Sequence, residues 1–402
     1  MKIGVILEQD ISGGGGFQQA LSTLVLLNTF QSGGNEFVFY TTNARNIDVL
    51  KSSHITANYL PCGLITKFFA LLKRNRLTTK YIGRYLSGFG SNAFEKRLIK
   101  DNIDIIYYLS PTWLCLLTDN INYVFTLWDL CHRDYPEFPE VRESGEFYSR
   151  ELLYNDVLKK AFAVIVDSDL GKENVIFRYG LSSERVHVLP FVATQSVVAF
   201  DGERQINIKE KYRVSNDYIF YPAQFWAHKN HSYILEALSI LRDRYKVTLD
   251  AVFTGIDKGN LGYIKQRTYD LSLTERIHFI GQVDAQEMPH LYQQSRALVM
   301  PTYFGPTNLP PIEAFHLGVP VFYSDLAGLR DQVEGAAFLM DLGNADSLAS
   351  QLNALLAEKL DVDDVIANGK IKAAAWTEQD YWQGLTRIFN SYRPILMTWK
   401  NG

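Results

Sequence analysis

Glu313 is where the candidate chemistry of this chain gathers. It stands in the run Pro301–Thr302–Tyr303–Phe304–Gly305–Pro306–Thr307–Asn308–Leu309–Pro310–Pro311–Ile312–Glu313–Ala314–Phe315–His316–Leu317–Gly318–Val319–Pro320. The apolar stretch Ala297–Met300 before it reads as a buried strand, and Pro310–Pro311 marks a helix start, where proline forfeits no hydrogen bond. Gly318 ends that helix, and Val319–Tyr323 resumes as strand. The pattern predicts Glu313 in the first turn of a short helix at the carboxyl end of a strand, the place where open α/β sheets bind ligands. Amides at such a helix start attract an anion such as phosphate, and a carboxylate beside them can accept hydrogen bonds from sugar hydroxyls. An acid in a first turn also offsets the helix dipole without any other role. Thr307–Asn308, set between prolines, has no comparable packing explanation.

Three further clusters carry polar chemistry. After the apolar strand Tyr218–Ala223 comes Gln224–Phe225–Trp226–Ala227–His228–Lys229–Asn230–His231, then a helix from about Ser232 to Arg244. An ammonium at a strand-to-helix junction can grip a diphosphate together with the helix amides, which singles out Lys229. His228 and His231 are three apart, a spacing open to a metal, yet no carboxylate or cysteine stands beside them, so no metal site is expected. The second cluster, Leu127–Trp128–Asp129–Leu130–Cys131–His132–Arg133–Asp134, follows the strand-like run Tyr123–Trp128 and suggests a polar site at a sheet rim. The alternative is a core aromatic at Trp128 and a turn or cap residue at Asp129. The third is Gly13–Gly14–Gly15–Gly16 between the strand Ile3–Leu7 and a helical pattern through Leu27. Glycine lets backbone approach a phosphate closely. Gln18 breaks the dinucleotide fingerprint, and no acid ends the strand Val38–Thr41, so an NAD site is poorly supported.

The Leu-Pro-Pro-x-Glu-Ala core at 309–314 resembles the signature of the retaining GT-B glycosyltransferases of family 4, the glycosyl transferases group 1. The resemblance is strongest over residues 218–340 and looser before 170. It implies that Glu313 holds the ribose of a nucleotide sugar. It implies too that Lys229, the amides around Thr307, Asn308 and Leu309, and the Gly15–Gly16 loop neutralise the diphosphate, without a metal and with no cofactor beyond the donor itself. Asp129 matches the family's His-Asp-Leu segment, with Trp128 in the histidine position and His132 one helical turn on as a candidate replacement. The neighbourhoods of Gly255 and Gly281–Val283 correspond to the place of the nucleotide base. Two further departures stand out. Gly305 occupies the position of a first glutamate, and Gln224 that of an arginine.

The implied activity is transfer of a hexose, mannose among the candidates, to a hydroxyl of a glycan or lipid-linked oligosaccharide. The configuration is retained, and the setting is the synthesis of bacterial surface polysaccharides such as O-antigen. Thr307 and Asn308 would repolarise a donor site that lacks the usual groups. The departures keep two other readings open: an inactive binding subunit and a GT-B nucleotide-sugar epimerase.

At 402 residues the chain exceeds one ordinary core. Short apolar strands alternate with helical patterns in both halves, the mark of doubly wound α/β domains. The expected architecture is GT-B, two Rossmann-like domains facing a cleft. They comprise an acceptor-side domain over 1–195, a nucleotide-sugar domain over 196–375, and a last helix over 376–402 that returns to the first domain. Apolar residues make up 47% and charged residues 21%, with a net charge of −4, which argues against a nucleic-acid partner. Cys62, Cys115 and Cys131 form neither a disulfide framework nor a metal pair and suit a reducing cytosol. Met1–Lys2–Ile3 runs straight into a strand, so no signal peptide is read, and no stretch approaches the ~18 apolar residues of a membrane span. Residues 63–100 are basic with interleaved apolar groups and a single acid, Glu95. Such a segment can rest on an anionic inner-leaflet surface, or it can be a helix packed inward with solvated lysines.

Overall fold

The computed structural model describes residues 1–10, 15–30, 34–63, 66, 70, 93–202, 206–305 and 307–400. Within these the chain divides into two compact units. The first comprises Met1–Pro136, Val141–Pro190 and Glu378–Gly402, and the second Glu137–Glu140 and Phe191–Thr377. The chain passes between them at Pro136, Glu140, Pro190 and Thr377.

The first unit is built on a parallel sheet of strands β1 (Lys2–Leu7), β2 (Glu36–Thr41), β3 (Ala57–Tyr59), β4 (Ile105–Tyr108), β5 (Asn122–Thr126), β6 (Ala163–Val166) and β7 (Val186–Val188). Its order is β3-β2-β1-β4-β5-β6-β7. Central strands covered on both faces must be apolar throughout, and Ile105–Tyr108 and Ala163–Val166 are buried at every position. The edge strand β3 is the one the apolar pattern misses, because Ala57–Asn58–Tyr59 has no apolar run to show.

The second unit repeats the plan with β8 (Tyr218–Pro222), β9 (Asp250–Thr254), β10 (Ile277–Gly281), β11 (Ala297–Met300), β12 (Val321–Ser324) and β13 (Phe338–Met340). Their order is β10-β9-β8-β11-β12-β13, again all parallel. Helix Leu309–Leu317, which follows the glycine-proline run, ends where Gly318 takes a left-handed φ of +68° and its amide reaches back to Ala314. Helix Asp363–Ala375 packs against it. The approach is close enough that a Cβ on Gly369 would stand 2.7 Å from the Phe315 ring.

Helix Glu378–Leu396 belongs to the first unit. Its Trp382 stacks on Phe30 at 5.8 Å, Phe389 packs edge-on to Tyr107, and the Tyr392 hydroxyl accepts from Asn122 at 2.9 Å. Tyr381, Trp382, Leu385, Ile388, Phe389 and Tyr392 are all buried. At ~1.5–3 kcal/mol per large apolar side chain they contribute on the order of 10 kcal/mol, comparable with the whole stability of a domain. A chain ending at Thr377 is therefore expected to expose this face and elute as soluble aggregate in size-exclusion chromatography. A monodisperse, cooperatively melting truncation would refute that.

Part of the basic segment lies outside the described residues. In helix Ala93–Lys100, Phe94 and Leu98 are buried while Lys96, Arg97 and Lys100 are exposed. Glu95 turns inward, its Oε1 accepting the amides of Asp119 and Asn120 at 2.7 and 2.6 Å. This portion is the inward-packed alternative. No described helix is long and apolar enough to cross a membrane.

Candidate active site

In the second sheet β8 and β11 are neighbours, and the chain leaves them in opposite directions, to β9 and to β12. Loops diverging at such a switch point open a crevice at the strands' carboxyl ends. The loop after β8 makes one tight turn over Ala227–Lys229 before helix His231–Asp243. The loop after β11 is tied to it by the Tyr303 amide, which donates to the His228 carbonyl at 2.9 Å.

Across this junction the Lys229 ammonium donates to Asn308 Oδ1 at 3.2 Å. Asn308 is buried, and its orientation is fixed from the other side. Its Nδ2 donates to the Gly305 carbonyl and to the Tyr323 hydroxyl, each at 2.6 Å. Its backbone is bracketed by Gln332, whose Oε1 accepts from the Asn308 amide at 3.1 Å and whose Nε2 donates to the Asn308 carbonyl at 2.6 Å. Tyr323 donates to the same Gln332 oxygen at 2.9 Å. A side-chain amide with both ends committed holds the ammonium in one place. The network also accounts for Gly305. Its φ is +113°, and a Cβ there would lie 2.7 Å from Asn308 Oδ1. A side chain at position 305 would therefore crowd Asn308.

His228 is buried with its ring stacked on Phe304, centroids 3.8 Å apart. Glu140 Oε1 faces its Nδ1 at 2.5 Å and accepts its backbone amide at 3.0 Å. Burial pushes the Glu140 carboxyl up, but the bonds from His228 outweigh it and hold the group below the usual carboxylate range. His231 sits instead among Phe225, Tyr221 and Phe253, where burial drives its pKa down to about 3. The two histidines serve different surroundings. Among the described residues no three potential metal ligands gather.

Glu313 is the fifth residue of its helix, because the helix opens at Leu309. It stands in the second turn, which corrects the first-turn expectation, and only 5% of it is exposed. Oε1 accepts from the Thr194 hydroxyl and Oε2 from the Tyr292 hydroxyl, both at 2.8 Å. Burial raises its pKa, and the two hydroxyls pull it back only in part. A carboxyl raised in the folded state binds protons that the unfolded chain has released. Its contribution to stability is therefore fully present below the ordinary carboxyl range and lost as pH rises through the folded value. Glu313→Gln lacks that loss, so its thermal stability relative to wild type is expected to increase from pH 5 to pH 8. A difference in Tm that is flat with pH would contradict this.

Gln224 Oε1 accepts from the Trp226 indole at 3.0 Å. Gly255 has φ +136°, and a Cβ on it would meet the Ala223 carbonyl oxygen at 2.4 Å. The lack of a side chain there makes room for the backbone of Ala223 and Gln224.

The remaining sequence candidates lie in the first unit. Gly15 and Gly16 open helix Gly15–Thr29, while Gly13 and Gly14 lie outside the described residues, as does Pro306. Asp129 Oδ1 pairs with Arg150 at 3.1 Å and accepts the Cys131 amide at 3.0 Å. Burial opposes its charge, but Arg150 and that amide hold its carboxyl low. His132 is fully buried, its Nε2 2.7 Å from Glu151 Oε1, a carboxylate that also takes Arg133 and the Tyr179 hydroxyl. Arg133 leads in lowering Glu151 to about 2, and burial keeps His132 low as well. The ring faces inward, and as a stand-in for the family's histidine it presents no exposed nitrogen. Lys229 and Asn308 are thus brought together, with Thr307 and Leu309 flanking. Sequence reasoning missed Glu140, Thr194, Tyr292, Tyr323 and Gln332. Tyr323 alone left a signal, as a polar-tipped residue ending a strand.

Two doubly wound parallel units, the second with a cationic switch-point loop, define the GT-B class. Residues 203–372, within the second unit, match the family described as glycosyl transferases group 1. Among curated relatives, the O-antigen chain mannosyltransferase B of Escherichia coli is 22% identical over 63% of this chain and 66% of its own length. The O-antigen chain mannosyltransferase RfbU of Salmonella typhimurium is 25% identical over 51% of this chain and 54% of its own. The chain thus spans about half to two thirds of the length of such relatives. Solved structures of similar fold include HepE of Anabaena in complex with UDP-glucose, with a TM-score of 0.70 at 16% identity, covering 98% of this chain and 100% of that one. Sucrose-phosphate synthase of Thermosynechococcus elongatus aligns at 0.71 and 18%, covering 99% of each chain. At these identities the likeness is one of fold.

Proposed function

We propose that this chain is a retaining glycosyltransferase that moves a hexose, mannose foremost, from a nucleotide-diphosphate donor to a hydroxyl of a glycan or lipid-linked acceptor. The observation that carries the reading is the Lys229–Asn308 pair at the switch point of the second sheet. As the glycosidic bond breaks, negative charge develops on the β-phosphate. A pre-oriented ammonium stabilises that charge without reorganising at the moment of reaction. Gln224 is neutral, so the compensation falls on Lys229 and on amides at the start of helix Leu309–Leu317. These groups can carry the charge without a metal or a further cofactor. Glu313 is given a positioning role, since its two oxygens already fasten Thr194 and Tyr292, leaving only spare lone pairs for a ribose. The mannosyltransferase names of the curated relatives favour mannose.

The test is incubation of purified protein with a panel of nucleotide sugars and extracts of lipid-linked acceptor, measuring nucleotide release and the anomeric configuration of the product. Release with retention, undiminished by chelator, is expected. Tight donor binding without release would favour the inactive subunit, and failure to bind any donor would sink the transferase. Asn308→Ala is expected to lower turnover by about 10-fold, because the ammonium loses a charge-assisted hydrogen bond. Unchanged donor kinetics would remove Asn308 from the site.

A further inference from the structure

The turn that presents Lys229 is gripped by a residue 88 positions before His228. Three residues, Ala227–Lys229, make only one turn, and the amides of so short an element must find acceptors outside it. The His228 amide donates to Glu140 Oε1 at 3.0 Å, and the same oxygen faces the ring Nδ1 at 2.5 Å. One oxygen thus fixes both the backbone and the side chain of the residue before the lysine. The His228 carbonyl is fixed as well, by the Tyr303 amide, and the Tyr221 hydroxyl donates to the Lys229 carbonyl, both at 2.9 Å. Glu140 stands in the short helix Pro139–Arg142, with only 9% of its side chain exposed. Phe138, two residues earlier, packs edge-on against the His228 and Phe304 rings, centroids 6.3 and 5.7 Å away, and tilted against Tyr303 at 5.2 Å. Glu137–Glu140 belongs to the second unit, so within that unit one four-residue segment clasps both the loop after β8 and the loop after β11.

We propose that Glu140 is a positioning residue of the donor site: through His228 it sets the direction from which the Lys229 ammonium meets the diphosphate, without touching a reactant itself. The role in transfer rests on the transferase reading above, whereas the hold on Lys229 does not. A small tilt of the turn is magnified along the four-carbon lysine stem, and misplacing a charge by ~1 Å is enough to cost up to ~10²-fold in rate. What the geometry asks of residue 140 is reach rather than charge. Glutamine there keeps an oxygen at the same distance, able to accept from both the His228 amide and a protonated Nδ1. Aspartate keeps the charge but falls one methylene short.

The experiment has two arms on the full-length protein. The first needs no substrate: limited acetylation with acetic anhydride, read at Lys229 by peptide mass spectrometry relative to the exposed Lys96 and Lys100. Lys229 should label at least about fivefold faster in Glu140→Asp and Glu140→Ala, as its turn opens, and within about twofold of wild type in Glu140→Gln. The second arm measures kcat per folded molecule, well below each variant's Tm. It should fall about 10-fold in Glu140→Asp and Glu140→Ala and stay within about threefold in Glu140→Gln. Lys229→Ala combined with Glu140→Asp should be no slower than Lys229→Ala alone, because Glu140 acts through that ammonium, whereas independent effects would multiply to about 10³-fold. Aspartate and glutamine are small changes, so their comparison decides the matter even if Glu140→Ala fails to fold. The reverse order, with Asp near wild type and Gln impaired, would overturn the proposal and give the charge itself the part. A multiplicative double variant, or labelling or turnover that none of the three changes moves, would overturn it too. If labelling follows the expected order and wild type turns over no donor, the hold on Lys229 stands and the transferase reading falls.

Discussion

Lys229→Ala is expected to lower turnover by about 10²-fold or more, the magnitude of losing one pre-oriented donor to a developing anion. Position and chemistry both point this way. The ammonium stands at the sheet's switch point and is aimed by Asn308 Oδ1 at 3.2 Å, and the neighbouring Gln224 offers no charge to take over. The loss belongs mainly in kcat, because charge on the leaving phosphate grows toward the transition state, and an interaction stronger there than in the ground state acts on the chemical step. Nucleotide-sugar affinity, measured by calorimetry, should fall by a smaller factor than turnover. Because buried Asn308 Oδ1 loses its donor, the variant should also melt a few degrees below wild type, a loss that would leave kcat per folded molecule unchanged if stability were all that suffered. Kinetics indistinguishable from wild type would mean that the phosphates are held elsewhere.

Gly305→Glu would write the missing first glutamate back into the run, yet it is expected to abolish activity and lower Tm by at least about 5 °C. A φ of +113° is foreign to a residue with a side chain and costs ~1–3 kcal/mol. The new Cβ would also stand 2.7 Å from Asn308 Oδ1, so Asn308 must move. Moving it breaks its bonds to Tyr323 and Lys229, and each buried group left without a partner adds ~1–3 kcal/mol. For a unit of this size, each kcal/mol lowers Tm by ~2–4 °C. Scanning calorimetry and the nucleotide-release assay check the pair of expectations. Adding Asn308→Gly should return part of the lost stability by removing the collision, while the backbone strain remains. A Gly305→Glu protein of normal Tm and raised turnover would show that glycine and asparagine are independent, contrary to the geometry.

This dependence marks where the sequence could and could not be read. Buried parallel strands announce themselves as apolar runs, so β4, β6, β8, β9 and β11 were legible, whereas β3 is an edge strand with Asn58 at its centre and was not. Helix Asp363–Ala375 also escaped notice, since its residues show almost no one-sided apolar period. In the site, Lys229 and Asn308 stood out because loops at strand ends carry few reasons for such residues other than ligands. Glu313 stood out by its place in the Leu-Pro-Pro-x-Glu-Ala run and His132 by its spacing from Asp129, but neither pattern shows what the side chain touches. Their partners, Thr194 and Tyr292 for the one and Glu151 for the other, are 21 to 119 and 19 positions away in the chain. Burial decided by distant residues is invisible to a local pattern. The three departures from the family signature also differ in kind. Gly305 lies against the Asn308 side chain, which donates to its carbonyl, and Gln224 is joined to Trp226. The Trp128 indole nitrogen is buried with no hydrogen-bond partner among the described residues, and nothing in the structure explains that.

Helix Glu378–Leu396 has a further consequence for how the molecule comes into being. During synthesis the chain leaves the ribosome from its amino end, and domains ordinarily fold in that order. Here Trp382, Phe389 and Tyr392, which close the first unit's core, emerge after every strand of the second unit. The second unit's sheet is complete once Phe338–Met340 is out, so the later-made half can reach its native state while the earlier-made half still waits for its last wall. Until then Phe30, Phe37, Tyr107 and Phe162 present an uncovered aromatic surface to solvent or to a chaperone. A chain ending at Thr377 is a frozen picture of that waiting nascent protein.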